Sequence, residues 1–298
     1  MRHSAFVYED DEAMVGKLAP WLAVAVTDKT PVVVVLERRK WQLVATALGS
    51  DADAILSLDP DVFLTRPEAA LAGFDAAFRR LLPNGTSAAR VYGEPPWRVE
   101  AEWDGWIAFE AIFNRAFAHQ PGWALCGYDT RDVPEPALDG AFATHPEILT
   151  DSWTRNPRYE KPEDVVRSHT PTPVPIVGLR ALPLRRGPQR FRENLRAELD
   201  AAGVSKLDAK GMLIAVEEVL THMRRDGGQK LGVSVGRVGD RFACEISEAG
   251  AEIDDPLAGF LPPQPEHPDR GGLWIARQLT QQLELMRSPH GMTVRLWV

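Results

Sequence analysis

Two groups of residues in this 298-residue chain have the types and spacing for chemistry. The first lies in IAVEEVLTHMRRDGG, residues 214–228. Its apolar residues recur at helical spacing until Gly227-Gly228 breaks the pattern, and Glu218 and His222, four apart, share one helical face. A carboxylate and an imidazole so placed could hold a ligand or polarise an attacking group; they could equally be a surface ion pair. Further on, Gly271-Gly272 opens another helical stretch. A helix N-terminus led by glycines offers free backbone N–H groups to phosphate.

The second group is N-terminal. Glu94, Cys126, Tyr128 and Asp129 fall at the ends of predicted strands, the rim where ligands sit in an open parallel sheet. Glu110 and Asn114 are four apart on one helix face, and His145 lies on the later segment THPEI. His3 begins the first strand, which does not by itself place it at that rim. Together these residues could sense a small organic molecule, the favoured ligand. Alternatively Cys126 with the histidines, His145 among them, could bind a soft or borderline metal. The plainer alternative is that the polar groups only satisfy loop backbone, Tyr128 packs and Cys126 is core. Trp97, Trp103 and Trp106 suit packing, or the wall of an apolar pocket, better than chemistry. No Gly-x-x-x-x-Gly-Lys-Ser/Thr occurs, so this half is not expected to hydrolyse nucleotide.

The elements that must position these residues alternate from residue 3 to 130. SAFVY, PVVVVLE, DAILSL, ARVYGE and GWALCGYD predict strands. Between them DDEAMVGKLAPWLAVAV, RRKWQLVATALG, RPEAALAGFDAAFRRLL and AEWDGWIAFEAIFNRAFAH predict amphipathic helices. Such alternation predicts an α/β domain over residues 1–155, a mostly parallel sheet with helices on both faces. Residues 156–188 are proline-dense without a helical period, and predict a partly extended inter-domain connection. Residues 189–298 predict an α+β domain: helices RFRENLRAELDAAG and LDAKGMLIAVEEVLTHMRR, strands LGVSVGRVG and RFACEISEAG turning at Gly-Asp, helix GGLWIARQLTQQLEL and strand MTVRLWV. Leu213, Val216, Leu220 and Met223 should pack under that sheet. Cys244 alternates with Phe242 and Ile246, as a buried structural thiol does.

The formal net charge of −8 argues against nucleic acid or an anionic membrane surface as the main partner. Two cysteines make no disulfide framework and suit a reducing cytoplasm. PVVVVLE is far too short to span a bilayer, and the N-terminus lacks the pattern of a signal peptide. A cytoplasmic protein is the expectation.

From His3 to about Leu149 the chain resembles the MEDS family, sensory domains named after methanogen and methylotroph regulators and distantly like RecA-type ATPases. The carriers are HSAFVYEDD, VYGEPPW, FEAIFNRAF, LCGYDT and THPEI, with Gly127 where the family usually has proline. The resemblance implies a RecA-like sheet and a sensory role. The last third resembles the GHKL ATPases, specifically anti-sigma-factor serine kinases related to histidine-kinase ATPase domains, and implies their Bergerat-type α+β sandwich. By that resemblance Glu218 matches the glutamate that polarises the attacking group, a base if the site is active. His222 falls on the asparagine that holds Mg²⁺, and Glu248 on the aspartate that accepts from the adenine amine. Gly250 matches the first glycine of Asp-x-Gly-x-Gly and Glu252 replaces the second. Gly271, Gly272 and Leu273 match the phosphate-facing helix start, and HGMTVRLWV, with Thr293, the closing strand.

Three of these positions depart from what Mg·ATP needs. Magnesium wants hard oxygen ligands, and an imidazole is a poor substitute for an amide oxygen. Glu248 extends the carboxylate by one methylene, enough to displace a directional hydrogen bond. A Glu252 carboxylate ~6 Å from a phosphate would cost on the order of 3 kcal/mol per charge pair at an effective dielectric of ~20. The expectation is a degenerate nucleotide site in a regulator that acts by binding a sigma factor or an anti-sigma antagonist. The alternative is an active serine/threonine-protein kinase that phosphorylates the antagonist, for which Glu218 and Gly271-Gly272 speak. A third reading is a small-molecule receptor whose C-terminal half serves only to form a homodimer.

Overall fold

The computed structural model describes residues 1–82, 88–170, 174–184, 187–225, 231–249, 255–263, 271–288 and 291–298. The chain divides into two compact units, Met1–Thr170 and Pro171–Val298.

The first unit runs β1 (Arg2–Tyr8), α1 (Asp11–Thr27), β2 (Val32–Val35), α2 (Arg38–Leu48), β3 (Leu56–Leu58), α3 (Pro60–Phe63), α4 (Pro67–Leu81), β4 (Ala89–Gly93), α5 (Trp103–Ala116), β5 (Gly122–Asp129), α6 (Glu135–Thr144), β6 (Glu147–Leu149), β7 (Trp153–Arg155) and α7 (Pro162–His169). Its sheet has the order β3-β2-β4-β5-β1-β6-β7. Every pairing is parallel except β6 with β7 at the edge. All four valines of β2 are buried, as a strand covered on both faces requires. Asp10 starts α1 by accepting from the Ala13 N–H at 2.7 Å.

Strand register sorts the side chains by face. His3, Ala5 and Val7 of β1 pair with Ala124, Cys126 and Tyr128 of β5, so these six share one face. Phe6, Tyr8, Tyr92 and Leu125 occupy the other, where they form one apolar core with Met14, Leu18 and Leu22 of α1 and Val44 of α2. Helix α5 covers the first face, and Gly140 of α6 sits so close to it that a methyl there would lie 2.5 Å from Cγ1 of Ile107.

The region 156–188 is more structured than its proline content suggests. It contains α7, which packs on α5 through buried Val165 and Val166 and through Arg115–Glu163 at 3.3 Å and His169–Asp104 at 2.8 Å. Eight residues are too few to display a helical period. The end signals are nevertheless present: Pro162 at the start, Glu163 and Asp164 in the first turn, Arg167 and His169 in the last.

The second unit runs β8 (Arg180–Ala181), α8 (Pro188–Ala201), α9 (Lys206–Arg225), β9 (Leu231–Val238), β10 (Arg241–Ala249), α10 (Gly272–Leu279), β11 (Gln282–Ser288) and β12 (Gly291–Trp297). Its antiparallel sheet has the order β11-β12-β10-β9-β8. Gly239 turns the β9–β10 hairpin at φ +63°, in the left-handed region that a tight hairpin demands. Leu213, Val216, Leu220 and Met223 of α9 are buried in one core with Phe242, Cys244 and Ile246 of β10. Burial pushes the Cys244 thiol well above the usual range.

Two differences from the sequence pattern stand out here. The stretch GGLWIARQLTQQLEL is not one helix: Thr280 is extended, with φ −121° and ψ 158°, and Gln282 onwards pairs with β12. Leu283 and Leu285 both pack on the core, a spacing of two that short windows confuse with helical spacing. Residues 180–181, inside the predicted connection, add β8 to the sheet edge. No helix among the described residues is long and apolar enough to cross a membrane.

Candidate functional site

The eight N-terminal candidates do not form one rim pocket. They separate into two clusters on opposite faces of the sheet.

Glu94 and Asp129 belong to the rim: Glu94 follows the last residue of β4, and Asp129 is the last residue of β5. Glu94 Oε1 accepts from the hydroxyls of Tyr8 (2.6 Å) and Tyr92 (2.7 Å), while Oε2 accepts from Lys40 Nζ at 2.8 Å. The Lys40 ammonium, on a residue only 4% exposed, also donates to Tyr8 Oη (2.7 Å) and pairs with Asp129 Oδ2 (3.0 Å). Burial would lower the Lys40 pKa, but Glu94 and Asp129 outweigh it and raise it. Burial would likewise raise the Asp129 carboxyl, yet hydrogen bonds from Arg131 and Lys40 hold it well below the usual range. Arg131 also reaches Asp11 at 2.7 Å, which Arg39 pairs at 2.6 Å. Gly127 is the residue that admits this network: a methyl there would collide with Tyr92 Oη and lie 2.9 Å from Cγ of Glu94. A cleft of about 380 Å³ opens at this rim, with Lys40, Glu94, Trp97, Gly127 and Asp129 in its wall.

Lys40, Tyr8, Tyr92 and Arg131 were not among the sequence candidates. A lysine on an amphipathic helix reads as solvated, and nothing in its neighbourhood betrays a buried ammonium. The tyrosines fit the β pattern as ordinary strand residues. Tyr92 meets Glu94 two residues along the same run, whereas Tyr8 reaches it only because β1 and β4 both flank β5, a long-range fact.

His3, Glu110, Asn114, Cys126, Tyr128 and His145 meet on the other face, between the sheet and helices α5 and α6. Cys126 is therefore not at a strand end: it is the fifth of the eight residues of β5, pointing at α5. His3 Nε2 lies 3.2 Å from Cys126 Sγ and 3.2 Å from Glu110 Oε2. Cys126 Sγ is 3.4 Å, and His145 Nε2 3.6 Å, from the same carboxylate oxygen. Tyr128 Oη donates to Glu110 Oε1 at 3.4 Å. His145, which ends α6, is held by Asn156 Nδ2 donating to its carbonyl at 2.6 Å.

Burial sets the protonation of this cluster. It pushes His3 down to about 4, against the opposing hydrogen bond that Asn114 Oδ1 accepts from it, and His145 down to about 3. It raises the Glu110 carboxyl, and pushes the Cys126 thiol and Tyr128 phenol well up. The arrangement can share a proton among Glu110, Cys126 and His3, or hold a cation among four donors.

In the second unit Glu218 and His222 lie half-buried one turn apart on α9. Gly271 caps α10, Gly272 is its first residue, and Leu273 is buried. The start of α10 meets α9 at this face: a methyl on Gly272 would lie 2.8 Å from the Glu218 carbonyl oxygen and 3.3 Å from Cβ of His222. Glu248 is 2% exposed on β10, and Thr293 of β12 stands opposite Ser247. Glu217 turns away and pairs with Arg192 of α8. Gly250 and Glu252 lie outside the described residues.

Comparison with known proteins accords with both halves. A search of curated proteins found no match. Residues 2–146 match the family model described as MEDS, the methanogen/methylotroph, DcmR sensory domain. Residues 186–298 match the model of the histidine kinase-like ATPase domain. A mostly parallel sheet with helices is followed by an antiparallel sheet with helices, and each matched span falls within one compact unit. The chain joins an N-terminal MEDS domain to a C-terminal histidine kinase-like ATPase domain.

Proposed function

We propose that the protein is a signal-responsive regulator of transcription whose C-terminal domain acts by binding a sigma factor or an anti-sigma antagonist, without transferring phosphate. A MEDS sensory domain joined to a histidine kinase-like ATPase domain fits a signal-sensing regulator of the anti-sigma kinase type. The N-terminal domain takes a small organic molecule; the rim cleft of about 380 Å³ is in the size range of ligand pockets and carries convergent polar groups. Free cysteines Cys126 and Cys244 suit a cytoplasmic setting.

The observation that carries the reading is the donor set on α9. Among the described residues, the start of α10 lies against α9 beside Glu218 and His222, where the resemblance places a glutamate and an amide. An imidazole in place of an amide oxygen supports weak Mg²⁺ binding, because that ion demands an octahedron of hard oxygens. The second reading, an active serine/threonine-protein kinase, draws on Glu218 and on the glycine-led start of α10, where backbone N–H groups could still face phosphate.

Calorimetric titration of the full chain with ATP, with and without Mg²⁺, tests the choice. The expected result is no micromolar, Mg²⁺-dependent binding, and a gain of binding in a His222→Asn, Glu252→Gly variant. Micromolar binding by the native chain, together with labelled phosphate transferred to a co-expressed antagonist, would overturn the proposal in favour of the kinase.

A further inference from the structure

The cluster beneath α5 has the hydrogen-bonding order of a metal site. Asn114 Nδ2 donates to the backbone carbonyls of Glu110 (3.1 Å) and Thr144 (2.8 Å), so its Oδ1 must face His3. That oxygen, 3.2 Å from His3 Nδ1, fixes the proton on Nδ1 and leaves Nε2 with a bare lone pair. His145 is ordered the same way. Its Nδ1 is 2.9 Å from the Ala141 carbonyl, an acceptor only, so Nδ1 carries the proton and Nε2 is bare. Each ligating nitrogen thus has its tautomer set by a hydrogen bond at the far side of the ring, the outer-shell arrangement of metal-binding histidines.

Both bare nitrogens face one carboxylate oxygen, Glu110 Oε2. A single proton there can serve His3, but His145 Nε2, on a residue 0% exposed, is left without a hydrogen-bond partner. A cation among the four donors satisfies all of them at once. The spacing suits one: metal–ligand bonds of ~2.1 Å in a tetrahedron give ligand–ligand edges of about 3.4 Å. Four of the donor pairs measure 3.2, 3.2, 3.4 and 3.6 Å, and none of the four donor atoms is more than 4.8 Å from another. The carboxylate of Glu110 and the thiolate of Cys126 together balance a divalent charge, which a buried site requires.

We propose that His3 Nε2, Glu110 Oε2, Cys126 Sγ and His145 Nε2 hold one borderline divalent transition metal ion of the zinc class. Two nitrogens, one sulfur and one oxygen are the donors such an ion prefers, and they exclude Mg²⁺ and Ca²⁺. Four protein ligands close the shell. The ion is held as a clasp that fastens α5 and the end of α6 to strands β1 and β5. The proposal does not rest on the partner or nucleotide readings of the C-terminal domain.

The test uses the full-length chain without a histidine tag, under reducing conditions. Elemental analysis should find about one zinc-class ion per chain, and the stripped protein should take up one equivalent of Zn²⁺ or Co²⁺. Bound Co²⁺ should show the intense visible bands of a tetrahedral site and a thiolate-to-metal charge-transfer band. Cys126→Ala should abolish uptake while Cys244→Ala retains it, and Asn114→Ala should weaken affinity by about 10- to 100-fold. Absence of both native metal and Co²⁺ uptake in the folded native chain would overturn the proposal and leave a proton-sharing network. So would uptake that persists unchanged in Cys126→Ala. The Co²⁺ spectrum of the native chain keeps the test decisive even if a variant fails to fold.

Discussion

Lys40→Met probes the rim network at its centre. Methionine keeps the length and apolar stem of lysine but removes the ammonium that joins Glu94 (2.8 Å), Asp129 (3.0 Å) and Tyr8 (2.7 Å). Asp129 retains Arg131 and Glu94 retains two tyrosine hydroxyls, so neither carboxylate is stripped bare. Even so, removing one partner of a buried ion pair costs about 3–5 kcal/mol, because the remaining charge keeps its desolvation penalty. For a unit the size of Met1–Thr170 that is a fall of roughly 6–20 °C in the midpoint of unfolding. Tryptophan fluorescence is a suitable signal, since Trp21, Trp41, Trp97, Trp103, Trp106, Trp123 and Trp153 all lie in that unit. A Lys40→Met, Glu94→Gln variant should lose less than the sum of its two single variants. A cost below about 1 kcal/mol for Lys40→Met, the worth of a surface pair, would refute the claim that this lysine is a buried linchpin.

Gly127→Ala should destabilise the N-terminal domain by about 1–3 kcal/mol in the same unfolding assay, and a Tyr92→Phe background should reduce that cost by removing the hydroxyl in its way. Gly272→Ala should loosen the α9–α10 contact, because the methyl meets backbone at the Glu218 carbonyl; faster hydrogen exchange confined to those two helices is the expected signal. Arg131→Ala should flatten the acid limb of N-terminal stability. Hydrogen bonds from Arg39 and Arg131 lower Asp11 to about 2, and Arg131 helps hold Asp129 low. Their stabilisation is present above the unfolded carboxyl range near 3.8 and is lost as pH falls through the folded values. The native chain should therefore exceed the variant at pH 6, and the difference should shrink progressively as pH falls below about 3.8.

Elements whose pattern is local were legible in the sequence. The doubly covered strand at Val32–Val35, the alternation of β1 to β5 with their helices, and the apolar stripe of α9 all follow from periods of two and 3.6. Elements too short to show a period were not: α7, with eight residues, and β8, with two, hid in a proline-rich stretch. The N-terminal candidates were legible as residues and not as an arrangement. His3 and Cys126 are 123 positions apart, and only the parallel pairing of β1 with β5 puts them on one face. Lys40 escaped because burial of a charge is decided by partners from β1, β4 and β5, none of them near it in sequence.

The central claim, regulation by protein contact without phosphate transfer, is tested most directly by measuring binding of the full chain to purified sigma factors and anti-sigma antagonists of its own source, with and without Mg·ATP. The account predicts a stable complex with one of them in the complete absence of nucleotide, and unchanged affinity when Mg·ATP is added. Binding that requires Mg·ATP, or a phosphorylated antagonist that no longer binds, would contradict it.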